Sequence, residues 1–134
     1  MNNDKYFLDT SFVIGLIFSN DFNHEKAVNK KFILNHDCYI NNSVLAEILN
    51  ISNKYTDFAN VIEIYYQLFD NFTIINEFDI FAYDARTLVE FEKYKGKLGF
   101  VDSGIITTMN QHQITNLVTF DKEFKKVKSI NVVS

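Results

Sequence analysis

Runs of about four β-prone residues alternate with longer stretches of helical periodicity, and no other feature of this sequence constrains its fold more. Lys5 to Leu8 reads as a strand and Ser11 to Phe18 as a helix. Phe22 to Leu34 follows as a second helix, with Phe22, Ala27 and Phe32 as its apolar positions. Cys38 to Ile40, Phe72 to Ile75, Leu117 to Phe120 and Ile130 to Val133 read as further strands. Ser43 to Ile51 (Ser43 as its cap), Asp57 to Phe69, Asp79 to Tyr94 and Asp102 to His112 read as helices, and Asp121 to Lys126 as a short one. Gly96 and Gly99 bracket a turn. The alternation predicts an α/β fold: a small, doubly wound parallel sheet flanked by helices on both faces. Right-handed crossovers put the carboxyl end of every strand on one edge, and ligands bind outside that edge.

Length and composition agree. A chain of 134 residues is expected to form a single domain over 1–134 and to bury roughly 65–70% of its unfolded surface. With 47% hydrophobic residues and 14 Phe, disorder is excluded, and a lone Cys excludes a disulfide framework or a cysteine-rich zinc site. Cys38 is expected to be a buried small hydrophobe. Seventeen acids against 13 Lys and Arg give a formal charge of −4, which argues against a protein that coats nucleic acid generically. The early apolar stretch Phe12 to Phe18 is too short to span a membrane, and Met1-Asn2-Asn3-Asp4 lacks the basic start of a signal peptide. The expected location is cytoplasmic, with no membrane partner.

The positions of the acids matter more than their number. Asp9 ends the first strand and Asp121 follows a later one, so both face the carboxyl edge. Helix capping explains either of them taken alone. Asp102 shares a helix face with Ile105, Ile106 and Met109, so its carboxylate must be capped, paired or bound to a cation. Glu47 borders the stripe of Val44, Ile48 and Ile51 and is not at a terminus, so capping cannot account for it, though a boundary Glu reaching solvent can. Carboxylates that converge repel one another, and the usual resolution is a hard divalent cation such as Mg²⁺ or Mn²⁺. Such a site suits metal-assisted hydrolysis of a phosphodiester.

Other chemistries find little support. No phosphate-binding or dinucleotide glycine loop is present. His24, His36 and His112 have no ligand spacing, and Ser11, Ser43 and Ser103 sit in no nucleophile-elbow context. Lys122, Glu123, Lys125, Lys126 and Lys128 read as a solvated charged face that could meet phosphates. The aromatic rows Phe58, Tyr65, Tyr66, Phe69 and Phe78, Phe81, Tyr83, Phe91 read as core, with part of them left over for a dimer face.

Four segments carry a family resemblance. Phe7-Leu8-Asp9-Thr10-Ser11-Phe12-Val13-Ile14 resembles the opening strand and turn of the PIN-domain ribonucleases. Ser43-Val44-Leu45-Ala46-Glu47-Ile48-Leu49 is similar to their glutamate-bearing helix. Leu98-Gly99-Phe100-Val101-Asp102-Ser103-Gly104-Ile105 resembles their third-acid segment, and Leu117-Val118-Thr119-Phe120-Asp121-Lys122-Glu123-Phe124 their closing element. The resemblance runs from about residue 5 to the last residue given. It implies a Mg²⁺- or Mn²⁺-dependent endoribonuclease with Asp9, Glu47, Asp102 and Asp121 as metal-site and catalytic acids. Thr10 and Thr119 would support them by holding carboxylates or water. Within the family the chain most resembles the VapC-like toxins of type II toxin–antitoxin pairs, which implies an RNA substrate, a homodimer and a small inhibitory antitoxin protein. Gly104 stands where a small residue such as Ala is usual, and no basic RNA-binding groove is evident, so local lysines and the metals would have to draw RNA in.

Alternatives from the same and other classes remain. One is an RNA-processing or quality-control nuclease; another is a non-catalytic α/β binding module whose acids are only caps. A phosphoacceptor receiver domain fits poorly, because Asp9 has no acidic neighbour and Phe72 to Ile75 ends in Asn76.

Overall fold

A computed structural model describes residues 4–134; residues 1–3, part of the segment weighed above for a signal peptide, lie outside the described residues. Five strands, β1 (Lys5–Leu8), β2 (Asp37–Asn41), β3 (Thr73–Ile75), β4 (Asn116–Val118) and β5 (Asn131–Val133), form one sheet in the order β3-β2-β1-β4-β5. Every neighbouring pair is parallel, as short strands joined by helices predict. The connections are α1 (Thr10–Ile17), α2 (His24–Val28), α3 (Asn42–Tyr55), α4 (Phe58–Asn71), α5 (Tyr83–Lys93) and α6 (Phe100–Gln111). Three 3-10 segments, Lys31–Asn35, Glu77–Asp79 and Lys122–Lys126, complete the chain.

The winding reverses beside β1: the chain runs outward through β2 and β3, then returns to lay β4 on the other side. Crevices form at such a reversal, outside the carboxyl ends of the two diverging strands. Phe7 and Leu8 of β1, Ile40 of β2 and Leu117 and Val118 of β4 are fully buried beneath it. Phe12, Ile48, Ile105, Ile106 and Met109 cover them from the helices. Cys38 is buried, and no helix among the described residues is long and apolar enough to cross a membrane.

Several elements differ from the sequence expectations. The predicted helix Phe22 to Leu34 is only α2, followed by a 3-10 segment. Positions 22, 27 and 32 are five apart, which does not form one helical stripe. Phe22 is 92% exposed, and the residues that face the core are Ala27 and Ile33. The helix expected from Asp79 begins at Tyr83, because Ala82 takes a left-handed conformation (φ 53°) that stops it from extending further back. Ser43 does not cap α3. Asn41 does, its Oδ1 accepting from the Val44 N–H at 2.9 Å, while the Glu77 carboxylate accepts from the Ser43 N–H at 3.0 Å. Asp121 leads into a 3-10 segment rather than an α-helix.

Most of the residues in the aromatic rows are also not core, although Tyr83 and Phe91 are half-buried and Tyr83 packs against the core. Phe58, Tyr66, Phe69, Phe78 and Phe81 are all exposed. On α4, only Val61 and Leu68 are fully buried, and its aromatic residues lie outside that narrow stripe.

Gly104 now has a physical reason. A β-carbon there would land on the Tyr83 hydroxyl, where α5 packs on α6. Gly104→Ala is therefore expected to cost about 1–3 kcal/mol, the usual penalty for overpacking. Thermal unfolding of Gly104→Ala with and without Tyr83→Phe checks it: removing the hydroxyl should recover most of the loss.

Candidate active site

A cleft of about 380 Å³ opens at the winding reversal, lined by Asp9, Ser11, Glu47, Asp102 and Asp121 among others. The four predicted acids thus reach one place from four separate parts of the chain.

Asp9 follows β1 directly. Its backbone has the extended geometry of a helix cap, yet its side chain makes no capping bond to α1. The carboxylate is instead held from β4. Leu8 pairs in register with Val118, so the next residues, Asp9 and Thr119, lie side by side. The Thr119 hydroxyl donates to Asp9 Oδ2 at 2.7 Å, and the Ser11 hydroxyl donates to the same oxygen at 3.2 Å. Capping therefore does not explain Asp9.

Thr119 is a hub. Its Oγ1 also accepts from the Asp121 N–H at 3.0 Å, and the Phe120 N–H donates to Ser11 Oγ at 3.0 Å. This small network ties the turn after β1 to the turn after β4. Thr119→Val keeps the shape but leaves Asp9 Oδ2 short of a donor and the Asp121 N–H unpaired. Stability should fall by about 1–3 kcal/mol by urea unfolding, and Thr119→Ser should retain most of it.

Asp121 does act as a cap, its Oδ1 accepting from the Glu123 N–H at 3.0 Å. Capping uses one carboxylate oxygen, and the residue still lines the cleft. Asp102 is not a cap. Gly99 occupies that position, and Asp102 lies in the first turn of α6, above the fully buried Ile105, Ile106 and Met109. Glu47 projects from the body of α3, on the same side as the buried Val44 and Ile48.

One buried side chain sets α3 against α6. Asn41 is fully buried at the end of β2. Its Oδ1 caps α3, which carries Glu47, while its Nδ2 donates to Thr108 Oγ1 of α6, which carries Asp102.

Packed together, the acids perturb one another. Burial raises the Asp9 pKa above its ordinary value, opposed by hydrogen bonds from the Thr119 hydroxyl, the Thr10 backbone N–H and the Ser11 hydroxyl, with the Glu47 charge adding a further upward push. Asp102 is pushed up to about 7, first by burial and then by the charges of Asp9, Asp121 and Glu47. A carboxyl raised this far by burial, with three other carboxylates adding to the shift, identifies a place that lacks positive charge.

Sequence reasoning missed part of this site. Ser11 makes the contact that the resemblance implied for Thr10; the Thr10 hydroxyl is buried with no partner among the described residues. Asp21, Asn23 and Tyr55 also line the cleft, with the Tyr55 hydroxyl donating to Asp21 Oδ1 at 3.2 Å. Tyr55 was detectable, since Glu47, Ile51 and Tyr55 repeat every fourth residue along one face of α3. Asp21 lies in a turn, with no periodic signal.

The donor set is all oxygen. Among the described residues no three His, Cys, Asp or Glu side chains stand together in a geometry that could already hold an ion. Mg²⁺ does not need a closed cage: it is commonly bound through one or two carboxylates and keeps several waters. The arrangement fits a hard, partly hydrated cation and offers nothing to a soft one.

Comparison with known proteins bears on the fold and the family. The PIN domain family matches residues 6–130. No curated protein matches the chain by sequence. Among solved structures, the chain is similar to Mycobacterium tuberculosis VapC20, a sarcin-ricin loop cleaving toxin (20% identity, TM-score 0.76, covering 92% of this chain and 95% of that one). A toxin–antitoxin complex from Klebsiella pneumoniae aligns at 22% identity with TM-score 0.72, covering 96% of both chains. VapBC2 from Rickettsia felis, bound to a DNA fragment from its promoter, aligns at 20% identity with TM-score 0.68, covering 96% of this chain and 97% of that one. At these identities the likeness establishes the fold.

Proposed function

Because this chain belongs to the PIN domain family, we propose that it is a divalent-metal-dependent endoribonuclease and the toxin of a type II toxin–antitoxin pair. The observation that carries the reading is the meeting of Asp9, Glu47, Asp102 and Asp121 at the winding reversal, with Asp102 pushed up to about 7 by burial and by the other three. Carboxylates so placed, with no lysine, arginine or histidine among the residues lining the cleft, call for cations.

The four acids would hold the ion, Mg²⁺ or Mn²⁺. When bound, such an ion supplies a water acidic enough to attack near neutral pH and neutralises charge developing on the phosphate. The chain's own contribution is positional. Thr119 and Ser11 fix the Asp9 carboxylate so that it need not reorganise, and Asn41 fixes Glu47 relative to Asp102. Asp102 carries a proton through much of the acidic range and releases it near neutrality.

Two surfaces support the partners of this reading. An apolar cleft of about 550 Å³, lined by Val13, Leu16, Ile17, Val28, Ile64 and Leu68, would seat apolar side chains of a small antitoxin. The exposed Phe58, Ile62, Tyr66 and Phe69 of α4 offer a face for a homodimer.

The test is cleavage of structured RNA by the purified chain. We expect products with Mg²⁺ or Mn²⁺ and none in EDTA; absence of cleavage with either metal would overturn the enzyme. Expression should arrest growth, and a co-expressed neighbouring small reading frame should rescue it. Finding no such neighbour would favour an RNA-processing nuclease.

A further inference from the structure

Beside the acidic cleft lies a second one of opposite character. It has a volume of about 280 Å³ and is lined by Lys26, Lys30, Lys122, Lys125, Phe120 and Asp121, together with Thr119 and Ser134. The two clefts share Thr119's neighbour Asp121, which lines both. The lysines come from distant parts of the chain: Lys26 from α2, Lys30 from the turn after it, and Lys122 and Lys125 from the 3-10 segment Lys122–Lys126.

These four cations have no carboxylate partners. Among the described residues the ion pair is between Lys126 and Glu123, at 2.7 Å, and it involves none of the four. Four like charges around one cleft repel one another, as the neighbouring acids do, and the natural complement is a polyanion. Of the 13 basic residues in a chain of net charge −4, these four are gathered beside the acids. Phe120 adds an aromatic surface next to the cations, the pairing used by grooves that follow a single strand.

Resting on the nuclease reading above, we propose that this lysine cleft holds the sugar–phosphate backbone of the substrate RNA on one side of the scissile bond. Asp121 marks the junction: a strand whose phosphates lie along Lys26, Lys30, Lys122 and Lys125 passes directly to the acidic cleft. The acidic centre by itself repels RNA, so the lysines supply the metal-independent part of the attraction. They are positioning residues. They bring substrate to the acids and take no part in bond cleavage.

The test uses the full chain carrying Asp102→Asn, in EDTA, and a fluorescein-labelled 20-nucleotide single-stranded RNA titrated at several salt concentrations. Each lysine–phosphate contact contributes about 0.7 to the log–log salt slope for a single strand. Lys26→Ala with Lys30→Ala, or Lys122→Ala with Lys125→Ala, should therefore each lower the slope by about 1.4 and weaken binding about 10-fold at low salt. In the otherwise unaltered chain the same pairs should raise KM about 10-fold with little change in kcat. Lys93→Ala with Lys95→Ala removes the same charge from the end of α5 and should change neither readout. Unchanged melting temperatures exclude misfolding as the cause.

The two readings can fail separately. If the unaltered chain cleaves RNA and the cleft variants keep its slope and KM, the cleft proposal is overturned and the nuclease stands. Loss of slope in variants of a chain that never cleaves leaves the cleft as an RNA site and overturns the nuclease. Failure of the parent to bind RNA overturns the cleft. So does loss of a protein partner, rather than RNA, in the lysine variants.

Discussion

Asp102→Asn should make the metal-free protein more stable and the enzyme inactive. The two effects arise from one cause. In the folded chain the Asp102 carboxylate lies partly buried near Asp9, Asp121 and Glu47, and its pKa is pushed up to about 7. Its charged form is therefore strained at neutral pH, and a neutral amide of the same shape relieves the strain. Asp102 does not cap α6, so no cap is lost. Asp9→Asn should also fold, since an amide oxygen can accept from Thr119 and Ser11 as Oδ2 does. Neither amide is an adequate ligand for a hard cation, and cleavage should fall by at least about 10²–10³-fold, the usual cost of removing one preorganised electrostatic group. Measuring melting temperature beside RNA cleavage distinguishes this from mere structural damage. A variant that loses stability together with activity would count against the site.

Divalent cations should raise the melting temperature, and the effect should depend on pH. The sign follows from Asp102. Its folded pKa of about 7 exceeds the ordinary value of 3.8, so between these limits the folded chain binds more protons than the unfolded one. Metal-free stability from this group is greatest below about pH 4 and is lost as pH rises through 7. Subtracting the Asp102→Asn profile from that of the unaltered chain isolates the contribution of Asp102, because the groups common to both cancel. Metal reverses the trend, because the ion binds the deprotonated carboxylates. At 100 times its dissociation constant an ion adds about 2.7 kcal/mol, roughly 8–10 °C for a domain of this size. The gain should grow from pH 6 to pH 8 and be absent in Asp102→Asn. A metal-induced shift of equal size at both pH values would show that the acids are not the binding site.

Much of the fold could be read from local pattern because the interactions that form strands and helices are local. The five strands, and the placement of Asp9 and Asp121 just beyond strand ends, follow from short apolar runs and their boundaries. The failures are equally local in origin. Phe22, Phe32, Phe78 and Phe81 are large and apolar, yet all are exposed, because the core was filled by Ala27, Ile33 and Ile80 at positions that their backbone turns inward. Ala82's left-handed backbone gives no compositional signal.

The class of fold, the acids at the strand ends and the all-oxygen character of their side chains were legible in the sequence, since each depends on residue type and on neighbours within a few positions. Only the tertiary structure decided which of these groups meet. The pairing of Leu8 with Val118 sets Thr119 against Asp9, a contact between residues 110 apart, and the second supporting hydroxyl is that of Ser11 rather than that of Thr10. Asn41, one residue beyond the strand expected at Cys38 to Ile40, joins the helices of Glu47 and Asp102. Lysines that were scattered in the chain became one cleft beside the acids. Such contacts are fixed by strand order and helix packing, and a net charge of −4 averages over them.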